Sequence, residues 1–266
     1  MKRKTILVGF IGLLVLFTSI TAAKALDDPV DKYALIIGIS DYDAISDLSY
    51  CDEDATDWYY YLNGLDYQIV LLGDSHPENY PQYNGLATEY NVKTAWANIL
   101  AQADENDIVA FISSGHGTEV NIGGRGRWSR IYVQALCMWD TSAGQNGEDG
   151  LIYDSELKDM MAPSVSNTFI FLDHCFSGGM SEVMENANAA KVYMTTTCTD
   201  DGYGYDDSTH QNGAWTYYFL EYTLIGVYGG SASMEQTFDT ALSVYPYDGG
   251  DTPQEFDGNT GLFFYL

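Results

Sequence analysis

Two short stretches of this 266-residue chain hold the residue types for nucleophilic chemistry. One, at 169–179, reads FIFLDHCFSGG: an apolar run stops on Asp173, His174 and Cys175 and passes at once into glycine-rich backbone. The other, at 107–117, reads DIVAFISSGHG and ends on Gly115, His116 and Gly117. A thiol attacks as its thiolate, and an imidazole beside it can take the proton at neutral pH. Gly117 and the pair Gly178-Gly179 leave room for a peptide backbone to approach closely. The amides of Gly117 and Cys175 are then candidates for an oxyanion hole, donating to the charge that develops on an attacked carbonyl. Each residue alone has a plainer role. His116 would serve as a polar residue in a tight turn, and Cys175 as a buried thiol or half of a disulfide. That both follow an apolar run and both are flanked by glycine selects a catalytic pair.

The elements that must position this pair can be read from periodicity. Apolar runs at 33–39 (YALIIGI), 67–72, 107–113, 168–172 and 191–196 read as buried strands, and 261–266 as a last one. Between them, 52–62, 91–103, 153–161 and 213–225 read as helices. The first carries acids in its first turn, where the helix dipole favours them. The second has Asn91 as an N-cap, with Trp96, Ile99 and Leu100 on one face. In the fourth, Trp215, Phe219 and Tyr222 recur at helical spacing. Continuously apolar strands joined by helices predict an α/β fold: a mostly parallel sheet of about six strands with helices on both faces. Reactive groups in such sheets gather at the carboxyl ends of the strands, so His116 and Cys175 share one rim if their strands lie close together. Neighbours in extended backbone point to opposite faces, which predicts that His174 faces away from His116 and is structural. His76 and His210 fall in polar loops, and the Gly- and Asp-rich stretches at 121–130, 141–150 and 199–213 read as surface loops of a single domain.

Residues 1–25 stand apart. A basic start (Lys2, Arg3, Lys4) precedes an apolar stretch at 6–20 and an Ala23-Lys24-Ala25 cleavage pattern. This is the form of a secretory signal peptide, with an apolar core short for a spanning helix. The expected organisation is a signal peptide at 1–25 and one exported domain at 26–266, secreted or otherwise extracytoplasmic. A membrane association would come only from an uncleaved leader. The leader holds four of the 11 basic residues and none of the 38 acids, so 7 against 38 leaves the mature chain at −31. So acidic a surface repels nucleic acid and anionic membranes. Cys51, Cys137, Cys175 and Cys198 make an even count in an exported chain, which allows disulfides. If Cys175 works as a thiol, at most one pair can form among the other three, and spacing leaves that pairing open.

The motifs resemble a known family. SSGHG at 113–117 and DHCFSGG at 173–179 look like the His-Gly and Asp-x-Cys-x-Ser-Gly motifs of caspase-like cysteine peptidases. The His precedes the Cys by 59 residues, close to the roughly 50 of caspases. LIIGISDY followed by LSYCDEDATDW resembles the first strand and the Cys-x-x-Asp-Ala helix start of metacaspases and their prokaryotic relatives, and NGAWTYYFLEYTL and DTPQEF resemble later segments. The likeness covers about 32–266. The Gln-Ala-Cys of animal caspases is absent, with Asp173 in place of the Gln, which favours the metacaspase branch.

The resemblance implies a caspase-like three-layer fold and an endopeptidase working by a Cys175/His116 dyad on protein or peptide substrates. It implies that Asp54 and Asp173 line the first specificity pocket, where two carboxylates would select Arg or Lys. Asp54 also fits as a dipole-complementing residue in a helix first turn. No cofactor is required for the chemistry. The resemblance implies Ca²⁺ as a possible activator, with Asp140, Asp149 and Asp154 in the matching region. Arg125, Arg127 and Arg130 offer sites for self-cleavage. Three other readings stay open: a legumain- or gingipain-like peptidase of other specificity, a non-catalytic caspase-like binding module, and a disulfide-stabilised binding protein with Cys175 bonded. The oligomeric state is not legible.

Overall fold

A computed structural model describes residues 28–123 and 131–266. The segment 1–25 and Arg125, Arg127 and Arg130 lie outside the described residues. In chain order the main elements are β1 (Lys32–Gly38), α1 (Cys51–Asn63), β2 (Gln68–Gly73), β3 (Gly85–Leu86), α2 (Glu89–Leu100), β4 (Ile108–Ser114), β5 (Gly117–Asn121), β6 (Tyr132–Cys137), β7 (Leu151–Tyr153), α3 (Asp154–Met161), β8 (Asn167–Asp173), β9 (Val192–Thr196), β10 (Asp206–Asp207), β11 (Asn212–Gly213), α4 (Ala214–Thr216), α5 (Met234–Val244) and β12 (Gln254–Asp257). The short α4 runs on into π-helical backbone at Tyr217–Val227.

The central sheet has seven strands in the order β12-β9-β8-β4-β1-β2-β3. All its pairings are parallel except β12 on β9. Strand alternation divides the core in two. Leu35, Ile37, Phe111, Ile170, Leu172 and Met194 meet Trp96 and Ile99 of α2 and Leu157 and Met161 of α3. Ala34, Ile36, Ile112, Phe169, Phe171 and Tyr193 meet Trp58 of α1, Trp215 of α4, Phe219 and Phe238. The strands are apolar on both sides because both sides are covered, which is the reason for the unbroken apolar runs. The fold is thus a three-layer α/β sandwich.

Several expectations need correction. The helix expected to begin at Asn91 begins at Glu89, because Thr88 caps it: its hydroxyl accepts the Asn91 amide at 3.2 Å. Asn91 instead donates its side-chain amide to the Leu86 carbonyl. Trp96 and Ile99 are buried as expected, and Leu100 is partly buried against the same core. Tyr222 is 42% exposed, since the π-helical widening turns it off the face shared by Trp215 and Phe219. The segment at 261–266 is not a strand. The free edge of β9 is taken by β12, whose entry at Pro253 suits an edge strand, since proline has no amide to give to a ladder. The tail crosses the helical layer instead: Phe264 accepts the Met234 amide at 2.8 Å and sets its ring against Phe169 and Tyr193. A small antiparallel sheet, β5-β6-β7, was not anticipated. It begins at Gly117, directly after His116. No helix among the described residues is long and apolar enough to cross a membrane.

Candidate active site

β4 and β8 are adjacent and parallel, with Ser114 in register with Asp173. Residues 115–117 and 174–176 therefore leave the sheet side by side. Alternation then sorts the side chains at this rim. Ser113 and His174 fall on the face covered by α2 and α3, while Ser114 and Asp173 fall on the face covered by α1 and α4. Cys51, Ser114, Gly115, His116, Asp173, Cys175 and Gly213 line one small cleft of about 40 Å³, together with Leu48, His174 and the segment Gly204-Tyr205-Asp206. The two residues expected to form a pair thus share a cleft.

Cys175 is partly buried and unbonded to any other cysteine. Its thiol donates to the Gly204 carbonyl at 3.7 Å. Burial raises its pKa, and the charge of Asp173 adds to this, so the resting thiol is protonated. The next residue, Phe176, has left-handed backbone (φ 59°), which costs a non-glycine residue about 1 kcal/mol. The turn is held by the Phe176 amide donating to Gly202 and by the Phe176 ring against Tyr203. Gly178 and Gly179 do not open the site to a substrate backbone. A Cβ at Gly178 would stand 2.7 Å from the Cys198 carbonyl oxygen, and one at Gly179 would stand 2.4 Å from the Gln134 side chain. Their smallness serves packing of the turn.

His116 is clamped through its backbone. Its amide donates to the Tyr42 hydroxyl at 2.7 Å. Its carbonyl accepts the Cys137 amide at 2.8 Å and faces a ring nitrogen of His174 at 3.0 Å. The His116 ring lies beside Tyr42, and Nε2 donates to the Ser46 carbonyl at 2.8 Å. That bond places the ring proton on Nε2 and leaves Nδ1 as the bare, basic nitrogen. The orienting partner is a main-chain oxygen, so no residue type at position 46 could have announced it.

The Cys137-to-His116 bond makes those two residues a hydrogen-bonded pair of the β5–β6 ladder. Antiparallel pairs alternate, so the next pair, Gly117 with Leu136, is not hydrogen-bonded, and the Gly117 amide points away from β6. Cys175 packs directly on the Gly117 Cα: a Cβ on Gly117 would stand 1.9 Å from the Cys175 carbonyl oxygen and 3.2 Å from its nitrogen. Only glycine allows the two backbones to meet.

Asp54 and Asp173 meet at Gly213, where an added Cβ would lie 2.6 Å from Asp54 Oδ2 and 2.5 Å from Asp173 Oδ2. Asp173 lines the cleft, and Asp54 lies just behind it, fully buried. Asp54 accepts the Gly213 amide (2.8 Å) and the Ser114 hydroxyl (2.6 Å). Asp173 accepts the amide and hydroxyl of Thr216, at 2.9 and 3.0 Å. Neither carboxylate has a basic partner among the described residues. Burial raises both, Asp173 to about 6 and Asp54 well above the usual range, with the charge of Asp173 adding to the latter. Sequence reasoning missed a third acid, Asp206, which lines the cleft and accepts the Ser49 amide at 2.9 Å. It also missed Tyr205, whose hydroxyl donates to Asp251 at 2.6 Å. Both sit in a Gly- and Asp-rich stretch that offers no period to read.

Among the described residues, the carboxylates of Asp140, Asp149 and Asp154 do not all come within 4.8 Å of one another. Asp140 accepts the Glu89 amide at the start of α2, Asp149 accepts the Leu151 amide and the Tyr153 hydroxyl, and Asp154 accepts the Ser155 amide. One Asp140 oxygen is buried without a hydrogen-bond partner. Among the described residues, Glu89, Glu148 and Glu156 do bring their carboxylates within 4.8 Å of one another. The Lys93 ammonium already bonds all three, at 2.5, 2.9 and 2.8 Å. All four cysteines are free thiols, with Cys51, Cys137 and Cys198 buried.

Comparison with known proteins agrees with this architecture. In shape the chain is similar to the crystal structure of protein GSU0716 from Geobacter sulfurreducens, with a TM-score of 0.63 over 85% of this chain and 92% of that one. Identity between the two is 17%, so the likeness shows the fold alone. No curated protein sequence matches the chain. The family model of the caspase domain, peptidase family C14, matches residues 31–240, which takes in β1 through most of α5 and both strand ends of the cleft. The chain belongs to the caspase domain family.

Proposed function

We propose that this protein is an exported cysteine endopeptidase that cleaves peptide bonds after Arg or Lys through Cys175 and His116. The observation that carries the chemistry is the shared cleft at the rim of β4 and β8: a neutral thiol, an imidazole with its bare Nδ1 fixed by the Ser46 carbonyl, and two touching backbones at Gly117 and Cys175. In this reading Cys175 gives its proton to His116 Nδ1 and its sulfur bonds to the substrate carbonyl carbon. The Gly117 and Cys175 amides receive the oxyanion. His116 returns the proton to the leaving nitrogen as the C–N bond breaks, and water then hydrolyses the thioester with His116 as base.

Specificity rests on the two buried acids. Ionising both in one buried corner is costly without a counter-charge, and a substrate guanidinium or ammonium supplies it. The resting cleft of about 40 Å³ has room for roughly one water and none for an Arg side chain. Substrate therefore enters by displacing the Gly204-Tyr205-Asp206 segment, which also frees the thiol from the Gly204 carbonyl. The reaction needs no metal in this reading, and residues 1–25 act as a signal peptide removed after Ala25. Autolysis at Arg125, Arg127 or Arg130 belongs to the same reading.

The test is hydrolysis of fluorogenic peptides ending in Arg, Lys, Asn or Asp, under reducing conditions, with excess chelator or with calcium. Arg and Lys cleavage that survives chelator and vanishes in Cys175→Ala is expected. Asn or Asp cleavage would replace the basic pocket with another specificity, and no cleavage at all would leave a binding module. N-terminal sequencing of the exported protein, expected to begin at Leu26, tests the leader. Loss of autolysis in Cys175→Ala tests self-cleavage.

A further inference from the structure

His174 is linked to both residues of the pair, preceding Cys175 in the chain and bonding the main chain of His116. Its ring is 1% exposed. One nitrogen, Nδ1, lies 3.0 Å from the His116 carbonyl oxygen. The other, Nε2, lies 2.8 Å from the Ser113 hydroxyl. A carbonyl only accepts, so Nδ1 carries the proton and Nε2 accepts from Ser113. The ring is neutral at physiological pH, because burial lowers its pKa to about 4. A Cβ on Gly115 would stand 2.5 Å from the Tyr42 hydroxyl and 3.2 Å from His174 Cε1, so a side chain here would crowd both.

We infer that His174 is a positioning residue: its Nδ1–H to the His116 carbonyl ties the nucleophile's strand end to the general base's loop and sets the separation of Cys175 from His116. Three observations bear on this. His174 is the residue immediately before Cys175, so its Cα moves with the nucleophile. Its hydrogen bond reaches the main chain of His116 and not its ring, so it fixes where the imidazole starts without competing for its nitrogens. The other restraints on His116 come from Tyr42, Cys137 and Ser46, none of which belongs to β8 or the turn after it. The side chain leaves Asp173's face of the sheet, as strand alternation requires, yet it reaches back beneath Gly115 to His116. The groups facing the ring are the Ser113 hydroxyl and the His116 carbonyl, while the buried Cys198 thiol donates to the main-chain carbonyl of His174 at 3.4 Å.

The inference rests on the dyad reading, and the experiment separates the two. The variants are His174→Asn, which places an amide donor where Nδ1 stands, His174→Gln, which places an amide where Nε2 stands, His174→Ala and His116→Ala. Two quantities are read: the rate of Cys175 alkylation by iodoacetamide from pH 5 to 9, and kcat and KM on a fluorogenic arginyl peptide. Expected is a wild-type alkylation profile shifted to lower pH than that of His116→Ala. His174→Ala and His174→Gln should follow His116→Ala, and His174→Asn should stay with wild type. On the peptide, His174→Ala should lose about 10- to 100-fold in kcat with little change in KM, as misplacement of reacting groups predicts. A wild-type profile retained in His174→Ala, or Asn and Gln variants that behave alike, overturns the inference and leaves the dyad standing. Coincident wild-type and His116→Ala profiles overturn both. Should His174→Ala fail to fold, ¹⁵N spectra of the wild-type imidazoles decide: a neutral His174 with its proton on Nδ1 at pH 6 is expected, and the Nε2–H tautomer or a charged ring overturns the assignment.

Discussion

The single residues at the cleft differ chiefly in which protonation state burial permits. Asp173 is raised to about 6 and Asp54 is raised further by the charge of Asp173, so the pair carries less than its full charge at neutral pH. As pH falls through about 6, Asp173 takes up a proton, and in the proposed reading a basic substrate then loses its partner. kcat/KM on an arginyl peptide should therefore fall on the acid side with a midpoint near that value. Asp173→Asn should lower kcat/KM by about 10- to 100-fold, the ~1.5–3 kcal/mol of a hydrogen bond to a charged group, and remove that limb. A pH–rate profile of both proteins checks this. His174 makes the opposite contribution to stability. Its folded pKa of about 4 lies below the 6.5 of an exposed histidine, so between those values the unfolded chain binds the extra proton. Stability from His174 is present above pH 6.5 and lost as pH falls toward 4. Relative to wild type, His174→Asn should gain up to about 3 kcal/mol over that window, measurable by urea unfolding at pH 4 and 7.

At the scale of elements, the site depends on how closely two strand ends approach. β4 and β8 deliver His116 and Cys175 side by side only because Gly117 opens β5 with no side chain against the Cys175 carbonyl. Gly117→Ala should cost about 1–3 kcal/mol through overpacking and should abolish most activity by parting the two backbones. Thermal unfolding and peptide hydrolysis read the two effects separately. The strands and their order of chemistry were legible because their apolar runs are long and their ends are polar. The sheet β5-β6-β7 was not, because β5 is half-buried and polar at Thr118, Glu119 and Asn121. Its pairing comes from long-range contact with β6 and not from a local period. Nor was the shift of the last strand from 261–266 to β12: GLFFYL is continuously apolar and QEFD is largely polar, so the local pattern favours the wrong segment, and only pairing with the free edge of β9 selects β12.

Across the whole molecule 38 acids outnumber 11 bases, and among the described residues Lys93 and Lys158 pair with carboxylates. Lys93 is the clearest instance. It bonds Glu89, which is almost fully buried, and also Glu148 and Glu156, joining α2 to the 141–150 loop and to α3. Lys93→Met would leave Glu89 buried without its counter-ion. The expected loss is about 3–5 kcal/mol at pH 7, shrinking toward pH 4 as Glu89, whose pKa burial raises, becomes neutral. Denaturant melts at the two pH values test this, and an unchanged gap would show that the cluster is not electrostatically coupled to stability.

Taken by itself, the sequence determined the layered α/β fold and the two polar strand ends that carry His116 and Cys175, since periodicity and residue chemistry are local properties. The tertiary structure decided what those residues touch. It set the Ser46 carbonyl on His116, brought Asp54 and Asp173 together at Gly213, closed Gly204 over the thiol and turned His174 back to its neighbour. Each of these depends on main-chain atoms that every residue carries, or on side chains 60 to 160 positions apart, so no local pattern encodes them.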